Sequence, residues 1–463
     1  MCKISEMKQI ILETDNSNKQ FLYEQLYETI KEGILTGSIR AGEKLPSLRS
    51  LSRDLGISLT TIEQAYQQLL VEGYIQSKPQ SGFFAAQINS VTSAEAQESV
   101  EEISEETLKE NEFIHDTASF DFAKWKKCAN EVFNYYSDQL LFESDPQGER
   151  ALRNEVAKYI FRSRGVNASP ERIVIGAGTQ QITSHLARIL LRMNVNIVSL
   201  EEPGYLPVQS ILKDAGLQVY HIPVQEDGID IGKLPANIGS AVYVSPSNQF
   251  PTGAVMPVGR RYELIDWAVR NHSYIIEDDY DSELRYFGKP VPALKSLDEN
   301  NCVIYLGSFS STLFPAVKIS YMVLPKDMAE IFNDIKGAYT QTCSKSEQLT
   351  LALFMEKGYY YTGIRKLRSM NSRKLDLTLD AFGKYFGKEV TPMDTRSGIT
   401  LTIKVRSGRS IAELILLAKA IGLEMVPISA ITDQSTSALS FYYSQIPLDL
   451  IDAKIKELEG IWR

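Results

Sequence analysis

From residue 173 to residue 324 the chain repeats one unit, a short run of strand-forming residues followed by a longer stretch with helical spacing. The runs are Ile173 to Ile175, Asn196 to Leu200, Gln218 to Ile222, Ala241 to Ser245, Tyr274 to Glu277, Val303 to Gly307 and Ser320 to Leu324. Strand and helix in alternation predict an α/β fold, a mostly parallel sheet of seven strands covered by helices on both faces. A ligand site then belongs in the loops that follow the strands.

A different pattern precedes this. Leu22, Leu26, Ile30 and Ile34 recur every four positions and predict one helix with a buried stripe. Gly37 and the Ala41-Gly42 turn close it. Ser47 suits the N-cap of a short second helix with Leu48, Leu51 and Leu55 inward, and after Gly56 breaks that helix Ser58 caps a third. The third helix buries Ile62, Ala65, Tyr66 and Leu69 and shows Thr60, Thr61, Glu63, Gln64 and Gln67 on its other side. Gly73 ends it. Tyr74 to Ser77, the turn Lys78-Pro79-Gln80-Ser81-Gly82 and Phe83-Phe84-Ala85 read as a hairpin. Three helices and a hairpin make a winged helix-turn-helix over residues 1–86.

Residues 87–116 read as an acidic linker, with Glu95, Glu98, Glu101, Glu102, Glu105 and Glu106 in a Ser/Ala/Gln background. The large α/β part is expected over 117–344. A smaller α+β part follows over 345–463, with a long helix around Asn371 to Phe386, strands near Thr400 to Lys404 and Leu439 to Tyr443, and a closing helix from Leu448 to Leu458.

With 463 residues, 43% apolar and 23% charged, the composition is that of a globular protein with room for several domains. No apolar run approaches the ~18 residues that span a membrane. Met1-Cys2-Lys3-Ile4-Ser5-Glu6 lacks the plan of a signal peptide, so a cytoplasmic location is expected. The four cysteines, Cys2, Cys128, Cys302 and Cys343, lie far apart, which suggests neither a metal site nor a disulfide framework. A net charge of -9 argues against a protein coated in nucleic acid, so DNA binding must come from a local basic face.

Motifs in a fixed order narrow this further. Leu22-Tyr23-Glu24-Gln25, Gly42-Glu43-Lys44-Leu45-Pro46-Ser47 with Arg49, Glu72-Gly73-Tyr74 and Ser81-Gly82 resemble the GntR-type winged helix. Asp145-Pro146-Gln147-Gly148, Gly178-Thr179-Gln180-Gln181, Glu202-Pro203-Gly204-Tyr205, Pro246 to Gln249 with Pro251-Thr252-Gly253, and Glu277-Asp278-Asp279-Tyr280-Asp281-Ser282-Glu283 resemble a fold type I aminotransferase. Together they resemble the MocR/GabR-type regulators over nearly the whole chain, which implies a winged helix fused to a fold type I aminotransferase-like domain.

The resemblance implies a pyridoxal phosphate site. Gly178, Thr179 and Gln180 match a phosphate-binding helix start, and Ser308 and Ser310 match phosphate hydroxyls. Tyr205 matches the ring that stacks on the pyridine, Asp278 the carboxylate at its nitrogen, and Tyr280 the phenol near its hydroxyl. Other positions depart from the pattern. In Gly307-Ser308-Phe309-Ser310-Ser311-Thr312, Ser311 stands where the family has its lysine, and only a primary amine holds pyridoxal as a Schiff base and shuttles the substrate proton. Lys318 stands for a phosphate-pairing arginine and loses the bidentate fork. Glu143 stands for a tyrosine that reaches the partner subunit's phosphate. At ~4 Å and an effective dielectric of ~20 its charge would oppose phosphate by about 4 kcal/mol, against at most ~2 kcal/mol from a helix start. Glu143 must therefore turn away, be protonated, pair with Lys318 or exclude phosphate. No arginine lies in Ser437 to Ile446 to meet a substrate carboxylate, and Leu206 and Pro207 follow Tyr205 where such chains place another. Cofactor binding is thus expected to be non-covalent at most, with inheritance of the fold without binding as the plainer reading.

For DNA, the resemblance implies that the third helix enters the major groove and the wing lies by the backbone. Lys44, Ser47, Arg49, Thr60, Thr61 and Lys78 are the expected phosphate or base contacts, with Gly82 in the wing, Ser58 as the helix cap and Gln64 as a reader of adenine. Leu59 replaces an arginine common in relatives. Seven acidic residues in the same segment keep nonspecific affinity modest, so a homodimer on repeated promoter half-sites is expected. The sequence therefore reads as a transcription regulator whose aminotransferase-like part dimerises and senses a small-molecule effector, an amine among the candidates, rather than catalysing. The alternative is a pyridoxal phosphate enzyme fused to a DNA-binding domain.

Overall fold

The computed structural model describes residues 21–88, 113–205, 207–286, 292–393, 397–428 and 436–463. The chain divides into two compact units between Leu108 and Lys109. Most of the expected linker, 89–112, and Leu206 lie outside the described residues.

The first unit holds helices α1 (Leu22–Leu35), α2 (Leu48–Leu55) and α3 (Leu59–Val71), then strands β1 (Ile75–Lys78) and β2 (Gly82–Ala85), paired antiparallel. Leu26, Ile30 and Ile34 of α1 bury against Ile62, Ala65, Tyr66 and Leu69 of α3, and Leu51, Ile75 and Ala85 close this core. Leu22, expected in the same stripe, is 43% exposed because it opens α1 a full turn before the first residue that α3 covers. Both serine caps form: Ser47 Oγ accepts from the Ser50 amide at 3.2 Å and Ser58 Oγ from the Thr61 amide at 3.1 Å.

The second unit contains helices α4 (Phe122–Tyr135), α5 (Ser137–Leu140), α6 (Arg150–Arg164), α7 (Gly178–Arg192), α8 (Pro207–Asp214), α9 (Val258–Arg270), α10 (Lys326–Ile335) and α11 (Lys345–Glu356) around one sheet. Its strands are β3 (Ile173–Ala177), β4 (Ile197–Glu202), β5 (Gln218–Gln225), β6 (Gly228–Ile229), β7 (Ala241–Val244), β8 (Tyr274–Asp278), β9 (Val303–Ser308) and β10 (Ile319–Val323), in spatial order β3-β10-β9-β8-β7-β4-β5-β6. Among the described residues the sheet has eight strands rather than seven. The additional one, β6, is two residues long and folds back on the end of β5, too short to leave a strand pattern in the sequence. β4, β5, β7, β8 and β9 run parallel, and β10 runs against both β3 and β9. Alternate side chains of the strands enter different cores. Val174, Leu200, Tyr243, Ile276 and Leu306 pack with α7, α8 and α10, while Ile175, Tyr305, Ile319 and Tyr321 pack with α4, α6 and α11.

The smaller part is a four-stranded antiparallel sheet, ordered β11 (Val390–Pro392), β12 (Leu401–Val405), β14 (Ser437–Phe441), β13 (Met425–Pro427). Helices α12 (Tyr359–Tyr385), α13 (Ile411–Ala420) and α14 (Ile451–Trp462) bury its apolar face through Phe382, Leu414, Ile455 and Trp462. Because β3 and β9 both oppose β10, the ends of β3, β4, β7, β8 and β9 open on one edge of the large sheet, where the candidate ligand residues sit.

Candidate functional site

In the first unit, Lys44, Arg49, Thr60, Gln64, Lys78 and Gly82 are exposed. Lys44 and Lys78 both lay their chains over the Phe84 ring, with Nζ 6.0 and 4.7 Å from its centroid. Lys44 also bridges Phe84 through the backbone, so the loop before α2 and the wing form one basic surface. Gly82, whose φ is +102°, adopts a backbone conformation that a side chain would strain, and a Cβ there would sit in ordinary contact with Lys44 Cε. The Tyr66 hydroxyl ties α3 to this loop by donating to the Pro46 carbonyl at 3.0 Å. Ser47 and Thr61 are engaged locally: Ser47 caps α2, and the Thr61 hydroxyl lies 2.7 Å from that of Ser58. Leu59 is 42% exposed and does not pack inward.

In the second unit, β3 runs into Gly178, whose φ of +81° turns the chain directly into α7. Antiparallel pairing of Ala177 with Ile319 sets Lys318 beside that helix start, and pairing of Ser320 with Ser308 adds the serines. Ser308 Oγ accepts from Ser320 Oγ at 3.0 Å and from the Ser310 amide at 3.3 Å, which leaves its own proton to donate. Thr179 is half-buried, while Gln180 and Lys318 are exposed. Amides at a helix start, hydroxyls and one ammonium suit an anion.

The acidic run that begins at the end of β8 divides by partner. Glu277 accepts from the Leu294 and Lys295 amides, both at 2.7 Å. Asp279 takes Arg164 at 2.6 and 2.8 Å and the Tyr305 hydroxyl at 2.5 Å, and Glu283 takes the Tyr159 hydroxyl. These three hold the fold. Asp278 and Asp281 remain for the cleft. Burial pushes Asp278 up to about 6 against the opposing hydrogen bond from Tyr243, whose hydroxyl donates at 2.5 Å. Burial also raises Asp281, against the opposing pull of the Ser311 hydroxyl and of the Ile399 amide from the smaller part, which donates to it at 3.4 Å. The Tyr205 ring is 40% exposed, and burial together with Asp278 raises its phenol. Tyr442 lies within electrostatic reach of both Asp281 and Tyr205. Tyr280 is half-buried.

Sheet register thus brings Asp278 and Tyr205 to one end of the cleft and Gly178, Ser308, Ser310 and Lys318 to the other. Sequence reasoning did not single out Asp281, Tyr243, Tyr442 or Glu201. Tyr243 meets Asp278 only because β7 neighbours β8, and Tyr442 comes from the other sheet, so no local signal pointed to either. Glu201, at the end of β4, accepts from the Ser245 amide at 3.2 Å and from Gln249 at 3.4 Å. Its Oε1 has no hydrogen-bond partner, and burial pushes the carboxyl up to about 8. Glu143 is exposed, its carbonyl held by Lys345 Nζ at 3.0 Å, and no ion pair joins it to Lys318 among the described residues. No group of three metal-ligating side chains occurs among the described residues, and no helix there is long and apolar enough to cross a membrane.

Residues 22–85 match the family described as bacterial regulatory proteins, gntR family, and residues 105–402 match aminotransferase class I and II. The uncharacterized HTH-type transcriptional regulator YdeL of Bacillus subtilis (strain 168) is 37% identical, covering 96% of this chain and 97% of that one. The probable rhizopine catabolism regulatory protein MocR of Rhizobium meliloti is 30% identical over 88% of this chain and 86% of its own. Among solved structures, the kynurenine aminotransferase of Pyrococcus horikoshii has a TM-score of 0.64 at 24% identity, over 77% of this chain and 92% of that one, a likeness of fold.

Proposed function

The chain belongs to the HTH-type transcriptional regulators that join a gntR-family head to an aminotransferase class I and II fold, and we propose that its large unit recognises a small molecule without turning it over. The observation that carries this is at Ser311. Where the resembled enzymes carry the lysine that holds pyridoxal, this chain has a hydroxyl that steadies the Asp281 carboxylate. A serine hydroxyl neither condenses with the aldehyde nor shuttles the proton at neutral pH.

The remaining residues fit pyridoxal phosphate as a non-covalent ligand. Gly178, Thr179 and Gln180, with Ser308, Ser310 and Lys318, would hold the phosphate. Asp278 would meet a protonated pyridine nitrogen, Tyr280 the ring hydroxyl and Tyr205 the ring face. When bound, pyridoxal phosphate supplies an electron sink. An amine effector suits the same cleft, because Asp278 and Asp281 favour a cation. With no arginine in Ser437 to Ile446, an amine without an α-carboxylate fits better than an amino acid.

The head reads promoter DNA through Lys44, Arg49, Thr60, Thr61, Gln64, Lys78 and the Gly82 wing, with Ser47 and Ser58 fixing the helices that carry them. Homodimerisation is supported by Phe133, Tyr135, Leu141 and Phe142, which are 57, 79, 83 and 72% exposed within ten consecutive residues, apolar surface that a second copy would cover.

Thermal-shift titration with pyridoxal phosphate, pyridoxamine phosphate and simple amines, followed by borohydride and peptide mapping, tests this. Binding at a hundred times Kd adds about 2.7 kcal/mol of stability. Stabilisation without a covalent adduct supports sensing. An adduct on Lys318, or transamination, establishes the enzyme alternative. No stabilisation by any of them reduces the large unit to a dimerising scaffold.

A further inference from the structure

Between the cleft and the point where the chain arrives from the head runs a continuous series of hydrogen bonds. The Ser311 hydroxyl steadies the Asp281 carboxylate, which also accepts from the Ile399 amide at 3.4 Å. The Ile399 carbonyl accepts from the Ser444 amide at 3.4 Å. The Ser444 carbonyl accepts from Lys374 Nζ at 2.6 Å, and the same ammonium pairs with Asp116 at 2.7 Å. Lys374 is fully buried on α12 and the Asp116 side chain is 10% exposed. Two residues earlier, the Ile114 amide donates to the Gly422 carbonyl at 2.9 Å. The chain therefore enters the second unit strapped to its smaller part, by a buried ion pair.

The middle of this series is fixed from both sides. Gly398, with φ +86°, presents its carbonyl to the hydroxyls of Tyr443, at 2.7 Å, and Tyr286, at 2.6 Å. Its amide donates to the Leu284 carbonyl at 3.1 Å. Segment 397–399 is tied to Asp281 through the Ile399 amide, and Ser444 to Lys374 through its carbonyl. Tyr442, within electrostatic reach of Asp281 and Tyr205, is two residues from Ser444.

We propose that Asp281, Ile399, Ser444, Lys374 and Asp116 form a relay that converts occupancy of the cleft beside Ser311 into a change in how the head-bearing segment is held. This rests on the reading of the cleft as a ligand site. A ligand that engages Asp281 or displaces Tyr442 alters the hold of Lys374 on Asp116, and covalent continuity carries the change toward the DNA-binding unit. Coupling of this kind runs through an element that both sites bias, and here that element is the Lys374 ammonium, shared between the Asp116 carboxylate and the Ser444 carbonyl.

The test uses the full-length chain and its own upstream DNA, with and without saturating pyridoxamine 5′-phosphate. Wild type is compared with Asp116→Asn and with the pair Asp116→Asn/Lys374→Met, which leaves no unpaired buried charge. Calorimetric titration of the same probe scores the cleft alone. Because coupling is reciprocal, probe affinity in both variants should shift by no more than the coupling itself, about fivefold, and binding should persist. The probe-dependent change in DNA affinity, about fivefold or more in wild type, should collapse toward unity. Variants that keep the wild-type change overturn the relay and leave the cleft reading intact. A wild type that does not bind the probe sinks the cleft reading instead. Amide exchange then decides the relay without any ligand: Ser311→Ala must speed exchange at Ile399, Ser444 and Ile114, and an unchanged rate at Ile114 overturns it.

Discussion

The Ser311 hydroxyl steadies the Asp281 carboxylate against the burial that raises it, so position 311 sits beside a buried acid. A lysine placed there would meet that carboxylate as an ammonium and be held protonated. Ser311→Lys is therefore expected to link covalently to pyridoxal phosphate only as pH rises, read as a visible absorbance that borohydride removes. Adding Asp281→Asn should move the onset to lower pH. An onset that ignores Asp281 would mean that the two side chains do not meet.

Asp278 is pushed up to about 6 by burial. A ligand that brings a cation to it needs the ionised carboxylate, so affinity for pyridoxamine phosphate should hold above pH 6 and fall below it, approaching about tenfold per pH unit. Asp278→Asn should weaken binding above pH 6 and flatten the profile. Calorimetry from pH 5 to 8 checks both.

Glu201 has one oxygen without a partner and a carboxyl pushed from 4.5 to about 8 by burial. Between those values the folded chain holds a proton that the unfolded chain has released, so stability falls as pH rises through that window. Glu201→Gln removes the titration. The variant should melt near wild type at pH 5 and increasingly above it toward pH 9. A melting difference independent of pH would show that Glu201 is not buried as described.

On the head, Lys44→Ala and Arg49→Ala should each lower the slope of log affinity against log salt by about 0.9 if each contacts one phosphate. Gln64→Ala should relax preference at a single base pair, at about 1–3 kcal/mol. Ser58→Ala should cost the fold about 1 kcal/mol through the lost cap. Fluorescence anisotropy at several salt concentrations separates the first two effects, and melting of the full chain reads the third.

The architecture was legible in the sequence because its signals are local. The four-residue stripe in α1, the capping serines at 47 and 58 and the runs that became β3, β4, β5, β7, β8, β9 and β10 each depend on neighbours a few residues away. The edge strand Gly228–Ile229 had too few residues to carry a pattern. In the cleft, the run Glu277 to Glu283 was visible as a motif, but its division into fold-holding Glu277, Asp279 and Glu283 and cleft-facing Asp278 and Asp281 depends on Arg164, Tyr159 and Ser311, all distant in sequence. The bond between Lys374 and Asp116 spans the whole large sheet in sequence and left no trace there.

The most direct test of the central claim is to incubate the purified chain with pyridoxal phosphate, reduce with borohydride, and map every modified lysine by mass spectrometry, with transamination assayed in parallel. The account predicts no pyridoxyl group on any lysine of the cleft, Lys318 included, and no turnover, while the same preparation binds its upstream DNA in a salt-dependent manner. A stoichiometric adduct at Lys318, or sustained transamination, would contradict it.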